Sequence, residues 1–321
     1  MRRILILLIG LTLTLAGIQP ASAKSALTPV DLGTLGGNFS SAFDLNNRLQ
    51  VVGFSQTASG AFHAFLWQDG EMTDVDSGAG TFSRANAINR QGQIAGIRET
   101  ASGEFQAVLW NADAVTELGT LGGSESNAFD INDKGQVVGY SQDISGNFRA
   151  FLWEAGAMMD LGTLGGCCSV ANGINRQGQV VGFSTTEAGE THPFLWEAGV
   201  MIDLGTLGGG GSGANAINSG AQVVGQSTTE AGLVHAFLWE AGVMTDLGTL
   251  GGPFSSALSI NRQGHVAGVS DGQAFLWQAG QMIALEGLGG FFSRANSIND
   301  RGQVVGQSTL ASGESHATLW R

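Results

Sequence analysis

Beyond residue 23 the chain never sustains the three-to-four-residue apolar spacing of an amphipathic helix. Apolar residues come instead in runs of four or five, such as Gln222-Val-Val-Gly and His235-Ala-Phe-Leu-Trp, each bounded by Gly, Asn, Ser or Thr. Runs of that length between turn-forming residues predict short strands joined by tight links. Fifty-one glycines against four prolines fit the same reading. The class expected is all-β.

The strands repeat. Trp67, Trp110, Trp153, Trp196, Trp239, Trp277 and Trp320 are spaced by 43 residues, except for one interval of 38. Asn46, Asn89, Asn132, Asn175, Asn218, Asn261 and Asn299 keep the same intervals, as do Gly53, Gly96, Gly139, Gly182, Gly225, Gly268 and Gly306. Three ladders in one register define seven copies of one unit. Each copy holds four strand-sized pieces: Ser-x-Ala-x-x-Ile-Asn, Gln-Val-Val-Gly, His-Ala-Phe-Leu-Trp and Met-x-Asp-Leu-Gly. Links such as Asn175 to Gly178 and Trp196 to Met201 place a glycine where a hairpin needs a left-handed residue. The third link varies in length, and its shortening to Asp271-Gly272 accounts for the 38-residue interval. Four antiparallel strands per unit of roughly forty residues is the blade pattern of a β-propeller. The rival repeat fold, a β-solenoid of parallel coils, runs without hairpins.

The ends of the repeat array complement each other. The first copy opens with a lone Asp-Leu-Gly strand at Pro29 to Gly33, and the last stops at Trp320-Arg321, where that strand would follow. A closed seven-bladed ring is therefore expected, with residues 27 to 33 added as the outer strand beside His316 to Trp320. That arrangement removes the open sheet edges. Ser-x-Ala-x-x-Ile-Asn, with its small residues, belongs innermost, and the tryptophans belong between blades as core.

His-Ala-Phe-Leu-Trp, Asp-Leu-Gly-Thr-Leu-Gly-Gly and Ile-Asn-x-x-Gly-Gln-Val-Val-Gly together resemble the HAF-type extracellular repeat proteins of bacteria. His63-Ala64-Phe65 and His235-Ala236-Phe237 carry the name-giving triplet, and the resemblance covers essentially all of the chain after residue 23. It implies export and a repeat fold, and no activity.

Residues 1–23 read as a secretory signal peptide: Arg2 and Arg3, an apolar run from Ile4 to Ile18, then small residues up to Ala23. Residues 24–321 then form a single seven-repeat domain, secreted to the periplasm or beyond, and with no membrane segment once the leader is cleaved. The leader carries two of the 14 basic residues and none of the 27 acidic ones, so its loss leaves a net charge of −15. Such a chain repels nucleic acid. It is expected to be a monomer, and with only two cysteines its stability rests on packing rather than disulfides.

Repetition also sorts the candidate chemistry. His63, His192, His235 and His316 share one repeat position with Gln106, Arg149 and Gln273, so the position calls for a hydrogen-bond donor to an adjacent blade or loop, not a metal ligand. The repeated Asp31, Asp74, Asp160, Asp203 and Asp246 read as fold, not catalysis. No metal site, cofactor motif or nucleophile elbow is present. One position differs between copies at the predicted channel mouth: Phe39, Phe82, Glu125, Cys168, Gly211, Phe254 and Phe292. Four phenylalanines there would stack a sugar or grip a peptide. Glu125, Cys167 and Cys168 complete the candidate rim, and acidic loops near Glu99, Glu187 and Glu230 on the same face would draw cationic partners. The expectation is a noncatalytic binding propeller for a glycan, peptide or cationic protein. A polysaccharide hydrolase or lyase using Glu125 is the alternative, and a structural surface or matrix protein a second.

Overall fold

The computed structural model describes residues 27–78, 80–112 and 114–321, which hold 28 strands and no helix. The expected leader, residues 1–23, lies outside the described residues. In the first full repeat, β2 (Gly36–Leu45), β3 (Val51–Thr57), β4 (Phe62–Gln68) and β5 (Glu71–Asp74) pair in that order, each antiparallel to the next. Asn46 makes the β2–β3 turn, its Oδ1 accepting from the backbone N–H groups of Arg48 and Gln50 at 2.9 and 3.2 Å. This is the local competition by which a short amide side chain ends a strand. Asp69 and Gly70, at φ 55° and 93°, turn β4 into β5, as a two-residue hairpin with both central residues left-handed requires.

The same strand order recurs over 83–117, 122–160, 165–203, 208–246 and 255–284, and residues 289–320 supply three more strands. Their fourth comes from the other end of the chain. β1 (Pro29–Asp31) lies antiparallel to β28 (Ser315–Trp320), with Pro29 opposite Trp320 and Asp31 opposite Thr318. Beyond that ladder, the backbones of Thr28 and Arg321 exchange hydrogen bonds of 3.0 and 3.2 Å.

The asparagine ladder closes the circle. Each Asn at the end of an inner strand donates Nδ2 to the backbone carbonyl of its counterpart in the next blade: Asn46 to Asn89, Asn89 to Asn132, and so on to Asn261 and Asn299. Asn299 then returns to Asn46, and all seven bonds measure 3.0 to 3.3 Å. The apolar core is divided the same way, into one cluster per seam. Leu45, Val51, Phe65 and Trp67 of blade 1 pack with Val305, Ala317 and Leu319 of blade 7, with Leu32 of the N-terminal segment among them. Six further clusters join the remaining neighbours. Each fully buried Phe, such as Phe65 or Phe151, contributes about 2 kcal/mol.

The glycine ladder has a steric cause. Every inner strand carries a β-bulge just after its alanine, between Ala42 and Asp44 in blade 1. Opposite it, a Cβ on Gly53 would collide with the carbonyl oxygen of Ser41. Gly139 and Gly306 face the same obstruction from Asn127 and Arg294.

Histidine pairs within its own blade, not with the adjacent blade expected from the sequence, and a loop partner appears at one position, His192, whose Nε2 lies 3.5 Å from Glu190. Nδ1 of His63, His192 and His235 meets Asp74, Asp203 and Asp246 at 2.6, 2.7 and 2.8 Å. His316 meets Asp31 at 2.9 Å, across 285 residues of sequence. Arg149 does the same to Asp160 at 3.1 Å. The Met-x-Asp-Leu-Gly strand runs antiparallel beside the His-Ala-Phe strand, so a spacing of eleven residues brings the two side chains together. Where glutamine replaces the basic residue, at Gln106 and Gln273, the aspartate is gone too, replaced by Glu117 and Ala284.

One seam is built differently. In six, a buried serine at the top of an inner strand accepts from an alanine N–H of the preceding blade, as Ser169 does from Ala150 at 2.9 Å. Between blades 4 and 5 the alanine is Pro193, which has no N–H to offer. Ser212 turns instead to the carbonyl of Gln226 at 3.1 Å.

Candidate functional site

The inner strands enclose a channel whose lining changes in layers. At the end reached by the Asn-x-x-Gly turns, the wall is the asparagine ring with Arg90, Asp133, Arg176, Arg262 and Asp300. These charges cancel one another: Arg90 and Arg176 share Asp133 at 3.4 and 3.3 Å, and Arg262 holds Asp300 at 2.9 Å.

Deeper in the channel, only blades 1 and 3 present carboxylates, Asp44 and Asp130, at a level where the others carry Ala, Gly or Ser. By area both are half-buried, since the channel is open, but blades wall them on every side. Burial pushes Asp44 up to about 6 and Asp130 up to about 7. Hydrogen bonds from the Ile88 N–H and the Ser297 hydroxyl work against the shift at Asp44. At Asp130 the Ile174 N–H opposes it, while the charge of Asp44 adds to it. Each carboxylate ties its own blade to others: Asp44 accepts from Ile88 at 2.9 Å and Ser297 at 2.7 Å, and Asp130 from Ile174 at 2.8 Å.

Toward the loop-rich mouth lies a cavity of about 300 Å³ bounded by Phe43, Arg84, Asn86, Phe129, Asn172, Asn215, Leu258, Arg294 and Asn296. The Arg84 guanidinium sits over the Phe43 ring, 5.5 Å from its centroid. Burial lowers the pKa of both arginines. The Nδ2 groups of Asn172, Asn215 and Asn296 donate to backbone carbonyls of the next blade at 2.7 to 2.8 Å. Of this layer the sequence reading named nothing. Its signal was present, because the residue two after Phe39 and its counterparts reads Ser41, Arg84, Asn127, Val170, Gly213, Ser256 and Arg294, as variable a set as the rim itself.

The rim residues fall into separate groups. Phe39 and Phe82 both reach Phe54, at centroid distances of 5.3 and 6.3 Å, and Phe62 and Phe105 extend the cluster at 5.9 Å from Phe39 and 5.7 Å from Phe82. Blade 3 continues the aromatic surface with Phe129, Tyr140 and Phe148. Phe254 and Phe292 stand apart, on a second cavity of about 250 Å³ that shares Arg294 with the channel. Glu125 is part of neither group. Cys167 is exposed and Cys168 half-buried, and both are free thiols. Hydrogen bonds from Cys168 and then Thr185 lower the Cys167 thiol, while Cys167 and then burial raise Cys168. The acidic loops do lie on this face: Leu35 bridges Thr57, and Leu164 bridges Thr186, where the loop with Glu187 begins.

No protein-family model and no curated protein matches the sequence. Among solved structures, the WD40 β-propeller domain of Doa1 superposes with a TM-score of 0.54 at 14% identity, over 90% of this chain and 96% of that one. The β-propeller domain of the Trilobed protease from Pyrococcus furiosus, described as having an open velcro topology, gives 0.61 at 9% identity over 88% and 95%. TolB from Acinetobacter baumannii gives 0.51 at 11% over 89% and 65%. Identities this low carry the fold alone. The chain is a β-propeller, and its N-terminal strand completes its last blade.

Proposed function

We propose that this is a noncatalytic binding propeller, exported from a bacterial cell, which stacks a sugar ring against the aromatic side of its loop-rich mouth. The observation that carries the reading is the uneven distribution of aromatic residues around a repeating ring. Blade 1 puts Phe39, Phe54 and Phe62 at positions where blade 5 puts Gly211, Gln226 and Val234, and both blades fold alike. What the fold does not require, a ligand explains. The resemblance to HAF-type repeat proteins and the leader-like residues 1–23 support an extracytoplasmic site of action. The positive charge of Arg84 and Arg294 in the channel argues against the cationic partner suggested by the acidic loops. Chain 24–321 is expected to bind members of a glycan array without degrading them. Phe39→Ala and Phe82→Ala should each weaken binding about five-fold, the loss of about 1 kcal/mol of ring contact. Unchanged affinity in both variants would remove the mouth as the site.

One observation favours a second reading, polysaccharide hydrolysis. Asp44 and Asp130 are two carboxylates in the channel that the other blades lack, and burial raises both into the range where a general acid or base works near neutral pH. Against it, both carboxylates already accept hydrogen bonds that hold the blades together. Release of reducing ends, abolished by Asp130→Asn, would decide for the enzyme.

A further inference from the structure

We propose that Arg84 and Arg294 form a carboxylate-binding subsite, so that the ligand of this propeller is an acidic glycan bearing uronate-type sugars. The inference rests on the binding reading above and adds the charge class of its ligand.

Acidic residues outnumber basic ones 27 to 14 in this chain, and arginines in the structured repeats find them readily. Arg90, Arg98, Arg149, Arg176 and Arg262 all lie within 3.4 Å of a carboxylate oxygen. Arg48, Arg301 and Arg321, which make no ion pair among the described residues, are exposed at turns or beside β28, where water serves them. Arg84 and Arg294 differ from both groups. Both line the channel mouth with no carboxylate partner among the described residues; Arg84 is half-buried and its Nε is buried with no hydrogen-bond acceptor, whereas Arg294 is open to the channel. The buried Nε costs stability, and the remaining guanidinium nitrogens, which are not buried, gain a partner when an anion enters the cavity. Arginine's planar fork matches a carboxylate.

The two arginines stand on blades 2 and 7, either side of blade 1, whose Phe43 lies between them in the cavity wall. The Phe43 ring is already covered by the Arg84 guanidinium and stacked with Phe54, 5.6 Å away, so it holds Arg84 in place, and a uronate entering the cavity would meet a guanidinium from either side. The cavity is at the lower end of the size range for small-molecule sites, which suits one residue of a longer chain. Asn172 and Asn215 use their amide N–H groups on the neighbouring blade, leaving their carbonyl oxygens to accept from sugar hydroxyls. The same bonds weigh against a peptide, since strand addition needs an open backbone edge. Here inner-edge carbonyls, those of Ala42, Ala214 and Ala257, already accept from asparagines. Three residues further along the strand, roughly 10 Å deeper, Asp44 and Asp130 repel an anion and set the floor.

Calorimetric titration of chain 24–321 with oligogalacturonate, with its fully methyl-esterified form and with a glutamate hexapeptide tests the proposal. The acid should bind at least ten-fold tighter than the ester, and raising salt from 50 to 500 mM should weaken only the acid. Arg294→Gln should lose at least ten-fold for the acid and nothing for the ester. Arg294 is exposed to the channel and its loss leaves no buried partner behind, so folding of this variant is safe even if Arg84→Gln disturbs Phe43. Equal binding of acid and ester, lost only in Phe39→Ala, would overturn the carboxylate subsite and leave the binding propeller standing. Tighter binding of the peptide, or no binding of either sugar, would overturn the acidic glycan.

Discussion

Asp130→Asn tests whether the channel carboxylates are held in a medium that resists their charge. The native carboxyl titrates at about 7 against 3.8 for the ordinary group. Between those values the folded chain holds a proton that the unfolded chain has released, so stability must fall as pH rises. At 1.36 kcal/mol per pKa unit, going from pH 5 to 8.5 costs about 3 kcal/mol at Asp130. Asp44, at about 6, adds roughly 1 kcal/mol over the same range. For a domain of this size each kcal/mol moves Tm by about 2 °C, so Asp130 alone should lower Tm by about 6 °C. Asparagine removes that slope. It still accepts from the Ile174 N–H, while the 2.7 Å bond from Ile131 to the other oxygen is lost at a cost of about 1 kcal/mol. At pH 8.5 the variant should therefore melt about 4 °C above the parent, and at pH 5 about 2 °C below it. Differential scanning fluorimetry across the range reads both curves. Parallel curves would refute the buried-carboxylate argument, whatever the slope of each.

Two further outcomes follow from the seams. Deleting residues 24–33 removes β1 and Leu32, strips Leu319 and Trp320 of their cover and breaks the 2.9 Å bond from Leu32 to Ala317; a loss of about 5 kcal/mol or more should lower Tm by about 10 °C, and a normal melt would refute closure by this strand. Ser169→Ala strands the buried Ala150 N–H and should cost about 2 kcal/mol, whereas Ser212→Ala, at the seam where Pro193 offers no donor, should cost less than half of that; equal costs by denaturant titration would show that the serine bond is not what zips the blades.

The architecture was legible because a repeat multiplies each local signal sevenfold. The asparagine, glycine and tryptophan ladders mark the turn, the bulge contact and the seam core, three demands that every blade makes. Pro29 to Gly33 and Trp320 were readable as halves of one blade for the same reason. The histidine partner was legible in principle, because the basic residue and the aspartate are lost together at Gln106 and Glu117 and at Gln273 and Ala284, but only if copies are compared in pairs of positions. The aspartate layer was harder to see. Along an unbroken strand Phe39 implies that residues 41 and 43 face the same way, but the bulge after Ala42 breaks the alternation and turns both residue 43 and residue 44 to the channel. Parity past that point cannot be counted from sequence. The two channel aspartates were therefore not visible, whereas Arg84 and Arg294 precede the bulge, two residues after Phe82 and Phe292, and could have been counted from the rim.

The bond between His316 and Asp31 spans nearly the whole chain, and this sets an order of events for biosynthesis. Of the described strands β1 is the first to leave the ribosome, and its partner β28 is the last. At about 5 to 20 residues per second, the opening strand waits on the order of 15 to 60 seconds for its mate. Throughout that interval the growing stack of blades carries two unsatisfied flanks, so a cell making this protein must shield a nascent arc that becomes a circle only when β28 arrives.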